Sequence, residues 1–172
     1  MGRVAAIVLA AGEASRFGSP KQRILLPEVL GRLRSSPVDE IVVVEGAYEL
    51  EVPSGTASQA IRVVPCPAWR RGPGASLRCG LRALGEDVEA AVVVLADGPE
   101  LSPEAVDRTV AEWRVHDGVI AASYDEKRGH PLVLGRDKWD GIPDAGLRDT
   151  PVRLVPCDDL GVPGDVDTPE DL

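Results

Sequence analysis

Residues 4–22, VAAIVLAAGEASRFGSPKQ, constrain this chain more than any other stretch. The apolar run over residues 4–9 lacks the alternation of a strand wetted on one side. It therefore reads as a strand buried on both faces, the kind found inside parallel sheets. The run empties into a loop that holds Gly12, Gly18 and Pro20 together with Arg16 and Lys21. Such a loop can hold phosphates. Glycines let the backbone curl until several N–H groups face one anion, while Arg16 offers a planar fork of donors and Lys21 a compact charge. Spacing excludes two better-known phosphate loops. A Walker loop needs Lys directly after its second glycine, but Gly18 is followed by Ser19 and Pro20, and the GxGxxG pattern is absent.

The rest of the chain repeats the alternation of strand and helix. Residues 41–44, 61–64, 89–96, 119–123 and 152–155 read as further strands, and 89–96 is the most apolar of them. Apolar spacing predicts a helix over 24–33, with Pro27 marking where its regular part begins. A second helix is opened by Gly74, Ala75 and Ser76 and continues through Leu77, Leu81 and Leu84. A third starts at Ser102 and Pro103 and runs to about His116. Residues 46–59 read as a short helix or loop, and 125–128 as a polar connection. This pattern predicts an α/β fold: a single domain, residues 1–172, with a mainly parallel twisted sheet, helices on both faces and a Rossmann-like arrangement. Only six aromatic residues are present, so Ala, Val and Leu must supply the core.

A formal charge of −9 argues against a nucleic-acid or anionic-membrane surface, since either needs a basic face. A nucleotide would have to be met by local cations or a metal, and positive residues do cluster at 16–23 and 69–78. Cys66, Cys79 and Cys157 form no CxxC pair and are odd in number, so buried thiols in a reducing, cytoplasmic compartment are expected rather than a disulfide framework. The N-terminal apolar stretch is too short and runs too directly into charged residues to read as a signal peptide. No run approaches the ~18 apolar residues of a membrane helix.

Three separated blocks resemble the MobA-like nucleotidyltransferases, the family that joins a nucleotide to molybdopterin. The first is Leu9-Ala10-Ala11-Gly12 with Ser15-Arg16-Phe17-Gly18 and Pro20-Lys21. The second is Asp97 at the end of the apolar strand, before Gly98-Pro99. The third is the tail Asp165-Val166-Asp167-Thr168-Pro169-Glu170-Asp171. The resemblance implies a nucleotidyltransferase of the nucleotide-diphospho-sugar-transferase type. In that reading Arg16, Lys21 and Asp97 carry catalysis, and Leu9, Ala10, Ala11, Gly12, Arg16, Lys21 and Ser76 bind nucleotide. Asp97 holds Mg²⁺ with Asp167, Asp165 being the alternative ligand. Magnesium suits such a set, because it usually takes one or two carboxylates and completes its shell with phosphates and water. Trp69, Gly72, Ser76, Leu77 and Gly80 match the family's nucleotide-pocket segment, whereas Pro73, Gly74 and Ala75 depart from it. His130 before Pro131, and Gly146 with Arg148, resemble segments near the acceptor, so His130 and Arg148 are the expected acceptor-binding residues.

Other departures are Gly98 where the family has Gln, Pro143 where it has Gly, and no Gly-Lys-Pro-Leu segment after Leu26. The Leu-Ala-Ala-Gly form of the first block implies CTP over GTP, because the Ala11 methyl narrows a pocket that a purine needs open. The expected partners are thus an NTP and a phosphorylated small acceptor such as molybdopterin, a phosphosugar or phospholactate, in a monomer or small homo-oligomer. A nucleotide-binding accessory module without turnover stays open as the alternative.

Overall fold

The computed structural model describes residues 2–12 and 21–163. Seven strands form one sheet: β1 (Arg3–Ala10), β2 (Glu40–Glu45), β3 (Ala60–Pro65), β4 (Val88–Leu95), β5 (Val119–Tyr124), β6 (Lys127–Gly135) and β7 (Arg153–Pro156). Their order is β3-β2-β1-β4-β6-β5-β7, and β6 alone among them runs against its neighbours. The expected mainly parallel sheet is therefore present with one antiparallel insertion. Helices α1 (Lys21–Arg34), α2 (Pro73–Arg82) and α3 (Pro103–His116) cover both faces.

Burial explains why β1 reads as a continuous apolar run. Val4, Ala6 and Val8 share a core with Leu26, Val29, Leu30 and Leu33 of α1 and Val106, Val110 and Trp113 of α3. Ala5 and Ile7 point the other way, toward Leu77 and Leu81 of α2. With both sides covered, polar residues have no place along the strand, and residues 4–8 are fully buried.

Several local expectations are corrected. Helix α1 begins at Lys21, and Pro27 lies inside it rather than at its start. An interior proline costs about 3 kcal/mol in lost bonding and ring clash. Burial of Leu25, Leu26, Val29, Leu30 and Leu33, each exposed by 4 % or less, offsets that cost. Residues 46–59 contain no helix, and a bridge between Gly55 and Ala60 closes the segment. The polar connection after β5 is a two-residue hairpin turn in which Asp125 and Glu126 both take positive φ, at 51° and 65°. That matches the mirror-image turns that suit twisted antiparallel strands, and β6 follows it directly.

The cysteines also differ from expectation. Cys66, just past β3, and Cys79, on α2, are joined by a disulfide, with Cα atoms 5.8 Å apart. Cys157 is the buried free thiol that was anticipated. A cross-link across 13 residues of sequence removes unfolded-state entropy worth about 3 kcal/mol in the chain-entropy account. Urea unfolding is accordingly expected to show a lower midpoint after reduction, and thiol titration of the unfolded, unreduced chain should find one reactive group. Three reactive thiols with no shift of midpoint on reduction would contradict the pairing.

Candidate active-site cleft

Strands β1 and β4 lie side by side, and from β1 the chain first moves outward to β2 and β3 before returning to β4 on the other flank. A crevice opens at the carboxyl ends of strands where the order reverses in this way, and open α/β sheets bind ligands there. Strand β1 delivers Leu9, Ala11 and Gly12 to the crevice. Strand β4 delivers Leu95 and, two residues on, Asp97. The Ala96 N–H donates to the Leu9 carbonyl at 3.1 Å, which stitches the two ends together beyond the last strand pairing. From the β2 side, the Ala47 N–H holds the Ala11 carbonyl at 3.0 Å.

The opposite wall comes from the turn Trp69–Arg71 and the start of α2. Trp69 presses on the backbone at Gly46, where an added Cβ would fall 2.5 Å from its ring. The Arg70 guanidinium sits 5.1 Å from the Trp69 ring centroid. Leu9, Ala11, Gly12, Trp69, Arg70 and Ser76 contribute to the lining of a hollow of about 510 Å³. Leu9 and Pro73 also line a second hollow of about 280 Å³, whose floor is Leu77, Val93 and Leu132 and whose rim carries Arg128, His130 and Arg148. A third, of about 280 Å³, continues past His130 to Gly98, Tyr124, Val162 and Pro163.

The rim of the second hollow is held by long-range bonds. Arg128 donates to the carbonyls of Thr150 at 2.8 Å and Leu147 at 3.0 Å, so its guanidinium braces the 147–150 loop. Arg78 donates to the Ile142 carbonyl at 2.5 Å and pairs with Asp144, which Arg71 also approaches at 3.4 Å. The Arg78 hydrogen bond, foremost, and the Arg71 charge hold the Asp144 carboxyl below its usual range, burial working against them. Arg71 and Arg78 are therefore occupied in fixing the loop.

The same loop closes over the start of α2. Its first N–H groups are not free for an anion: Gly74 donates to the Asp144 carbonyl at 2.8 Å, and Ala75 and Ser76 donate to the Gly72 carbonyl. The approach requires glycine at both ends. Gly72 has φ of 135°, and a Cβ on Gly74 would lie 1.7 Å from the Pro143 oxygen.

The cleft gathers several predicted residues and leaves others aside. Leu9, Ala11, Gly12 and Ser76 line the first hollow, and His130 and Arg148 the second. Ala10 turns its methyl into the core shared with α1 and α3, so it can meet a ligand only through its backbone. Arg16, the Lys21 side chain, Asp165 and Asp167 lie outside the described residues. Among the described residues no three His, Cys, Asp or Glu side chains gather into a metal-binding group. What the cleft provides is Asp97, a partly exposed carboxylate at the edge of the sheet. A single hard oxygen donor of this kind fits a cation that takes its remaining ligands from phosphates and water.

His130 has an unusual environment. Desolvation lowers its pKa from 6.5 to about 4, the Asp97 carboxylate opposes that shift, and Arg128 adds to it. The ring is thus neutral near pH 7, able to donate one hydrogen bond and accept another. The unfolded chain takes up this proton near pH 6.5 and the folded chain near pH 4, so stability contributed by the neutral ring is complete above 6.5 and declines as pH falls toward 4. An NMR titration of the His130 ring is expected to show a midpoint near 4, and a midpoint near 6.5 would contradict the burial.

The fold and cleft define an open, doubly wound α/β domain with its ligand crevice between the first and fourth strands. Residues 6–155 match the MobA-like NTP transferase domain, and the chain belongs to that family. It is 32% identical over 152 residues to the bifunctional protein GlmU of Streptomyces avermitilis. The match covers 80% of this chain and 31% of GlmU, so the chain spans about a third of that relative's length. Among solved structures, the homologue of Mycobacterium tuberculosis Rv0371c from Mycobacterium sp. strain JC1 superposes with a TM-score of 0.77 at 26% identity, covering 98% of this chain and 92% of that one. The Rv0371c complex with manganese from M. tuberculosis H37Rv has the same fold, with a TM-score of 0.73 at 22% identity, covering 98% of this chain and 95% of that one.

Proposed function

We propose that this chain is a Mg²⁺-dependent nucleotidyltransferase that moves an NMP, CMP preferred, from an NTP to a phosphorylated small acceptor and releases pyrophosphate. The observation that carries the reading is the meeting of the Leu9–Gly12 turn and Trp69 around one hollow, with a second hollow beside it whose rim residue His130 feels the charge of Asp97, just past the end of β4.

In this reading the base lies in the first hollow against Trp69. The buried Ala11 methyl narrows that space and favours a pyrimidine. Arg16 and Lys21 neutralise the triphosphate. Asp97 holds the divalent cation with Asp167, or alternatively Asp165, from the tail. Bound there, the cation supplies charge neutralisation at the phosphate oxygens. The acceptor occupies the second hollow, whose floor is largely apolar. Arg148 is exposed, and its guanidinium has no hydrogen-bond or ion-pair partner among the described residues, which leaves it available to an acceptor phosphate, and neutral His130 orients that group. An acceptor phosphate oxygen attacks the α-phosphorus in line, the bond from that phosphorus to the β-phosphate bridging oxygen breaks, and pyrophosphate departs. Little covalent chemistry is asked of the protein, so the barrier falls through positioning and charge stabilisation.

The manganese in the Rv0371c complex supports a divalent site in this fold, and molybdopterin is one acceptor among phosphosugars and other small phosphates. The test is pyrophosphate release from each of the four NTPs against a panel of phosphorylated acceptors with Mg²⁺. Release with CTP and at least one acceptor is expected. NTP binding with no release on any acceptor would favour a non-catalytic accessory module.

A further inference from the structure

Resting on the proposed function, we infer that Gln22 is the positioning residue of the nucleotide turn. Gln22 is the second residue of α1, and it is only 5 % exposed. Its Nε2 donates to the Gly12 carbonyl at 2.6 Å, bridging ten residues of sequence between the end of β1 and the first turn of the helix. Only the NH₂ end of the amide can face a carbonyl, so this contact fixes the side-chain orientation. The other end, Oε1, is buried and has no hydrogen-bond partner among the described residues.

Gly12 needs such a restraint. It is exposed, it lines the first hollow, and among the described residues beyond its chain neighbours no atom lies within 4 Å of where its Cβ would be, so packing against them does not hold it. A carbonyl oxygen carries partial negative charge, and turned toward a bound nucleotide it would repel the phosphates that lead away from the base. Gln22 draws that oxygen toward α1 and keeps it turned away from the ligand.

As a space-filler, Gln22 is a poor choice. Among the described residues nothing donates to its buried amide oxygen, an arrangement that costs stability, and methionine of similar length would fill the same space without that acceptor. The amide therefore serves the turn at the expense of the core, and stability and binding should separate on substitution.

The experiment titrates Trp fluorescence with each of the four NTPs in Mg²⁺, for wild type, Gln22→Met and Gln22→Glu, alongside melting curves. Gln22→Met is expected to melt at or above the wild-type temperature while binding nucleotide about tenfold more weakly, the loss of one hydrogen bond's worth of positioning. Gln22→Glu keeps the shape but sets a second acceptor against the Gly12 carbonyl, so its affinity should fall at least as far. The ¹³C resonance of the Gly12 carbonyl should move in both variants. Wild-type affinity in either variant, or weaker binding with that resonance unmoved, overturns the positioning role while leaving the proposed function standing. If wild type binds none of the four NTPs, the proposed function fails and this inference with it.

Discussion

Replacing Asp97 by Asn is expected to lower pyrophosphate release by about 10³-fold, since a cation at the reacting phosphates supplies several kcal/mol of charge stabilisation. The substitution preserves size, and the Ala96 N–H to Leu9 carbonyl bond, made by main-chain atoms alone, ties the end of β4 to β1. The effect should therefore fall on turnover and on metal-dependent nucleotide affinity, with the folded chain intact. Activity within tenfold of wild type would mean that the carboxylate does not hold the metal. Because Asp97 is the charge that opposes the depressed His130 pKa, the same variant should lower the His130 midpoint further.

Gly74→Ala is expected to damage the second hollow. In an ordinary exposed helix position this change would stabilise by about 1 kcal/mol. Here the new methyl would sit 1.7 Å from the Pro143 oxygen and 2.9 Å from the Gly146 nitrogen, both backbone atoms. The loop must lift away, which breaks the Gly74 N–H bond to Asp144 and loosens the pairing of Asp144 with Arg78 and Arg71. Overpacking of this sort costs about 1–3 kcal/mol, so the net result should be a lower melting temperature. The acceptor KM should rise more than the NTP KM, because Ala145, Leu147 and Arg148 line the hollow beside His130. A neutral or stabilising Gly74→Ala would show that the loop does not rest on α2 in solution.

These two sites differ in how far they could be read in advance. The position of Asp97 was legible because the apolar run of β4 ends abruptly in Asp-Gly-Pro, which puts a carboxylate just past the end of a doubly covered strand. The β1 run and the Ser102-Pro103 start of α3 were legible for the same kind of reason: apolar period and proline at a first helical position are local, although the Ser102 side chain makes no capping hydrogen bond. The seal on α2 was not, because the partner of Gly74 is the Asp144 carbonyl, seventy residues away, and a backbone oxygen leaves no mark in the sequence. The Cys66–Cys79 disulfide likewise depends on β3 ending beside α2, and the spacing of the two cysteines carries no such information. Strand β6 was missed because Gly129, His130 and Pro131 break its apolar pattern at the end that faces the cleft. Its turn, Asp125-Glu126, also lacks the glycine that normally signals a tight hairpin. Gln22 escaped notice because one buried amide in a helix's first turn looks like any other polar residue until its partner is seen.

Placement of the cation tests the account most directly, and the two histidines provide the ruler. His130 lies beside Asp97, whereas His116 ends α3. The 14 residues of that helix carry the chain about 21 Å back across the sheet at 1.5 Å per residue. Substoichiometric Mn²⁺ added with CTP should broaden the His130 ring resonances, leave those of His116 sharp, and lose this selectivity in Asp97→Asn. Equal broadening of both rings, or selective broadening of His130 that survives in Asp97→Asn, would contradict a metal-assisted nucleotide site at the ends of β1 and β4.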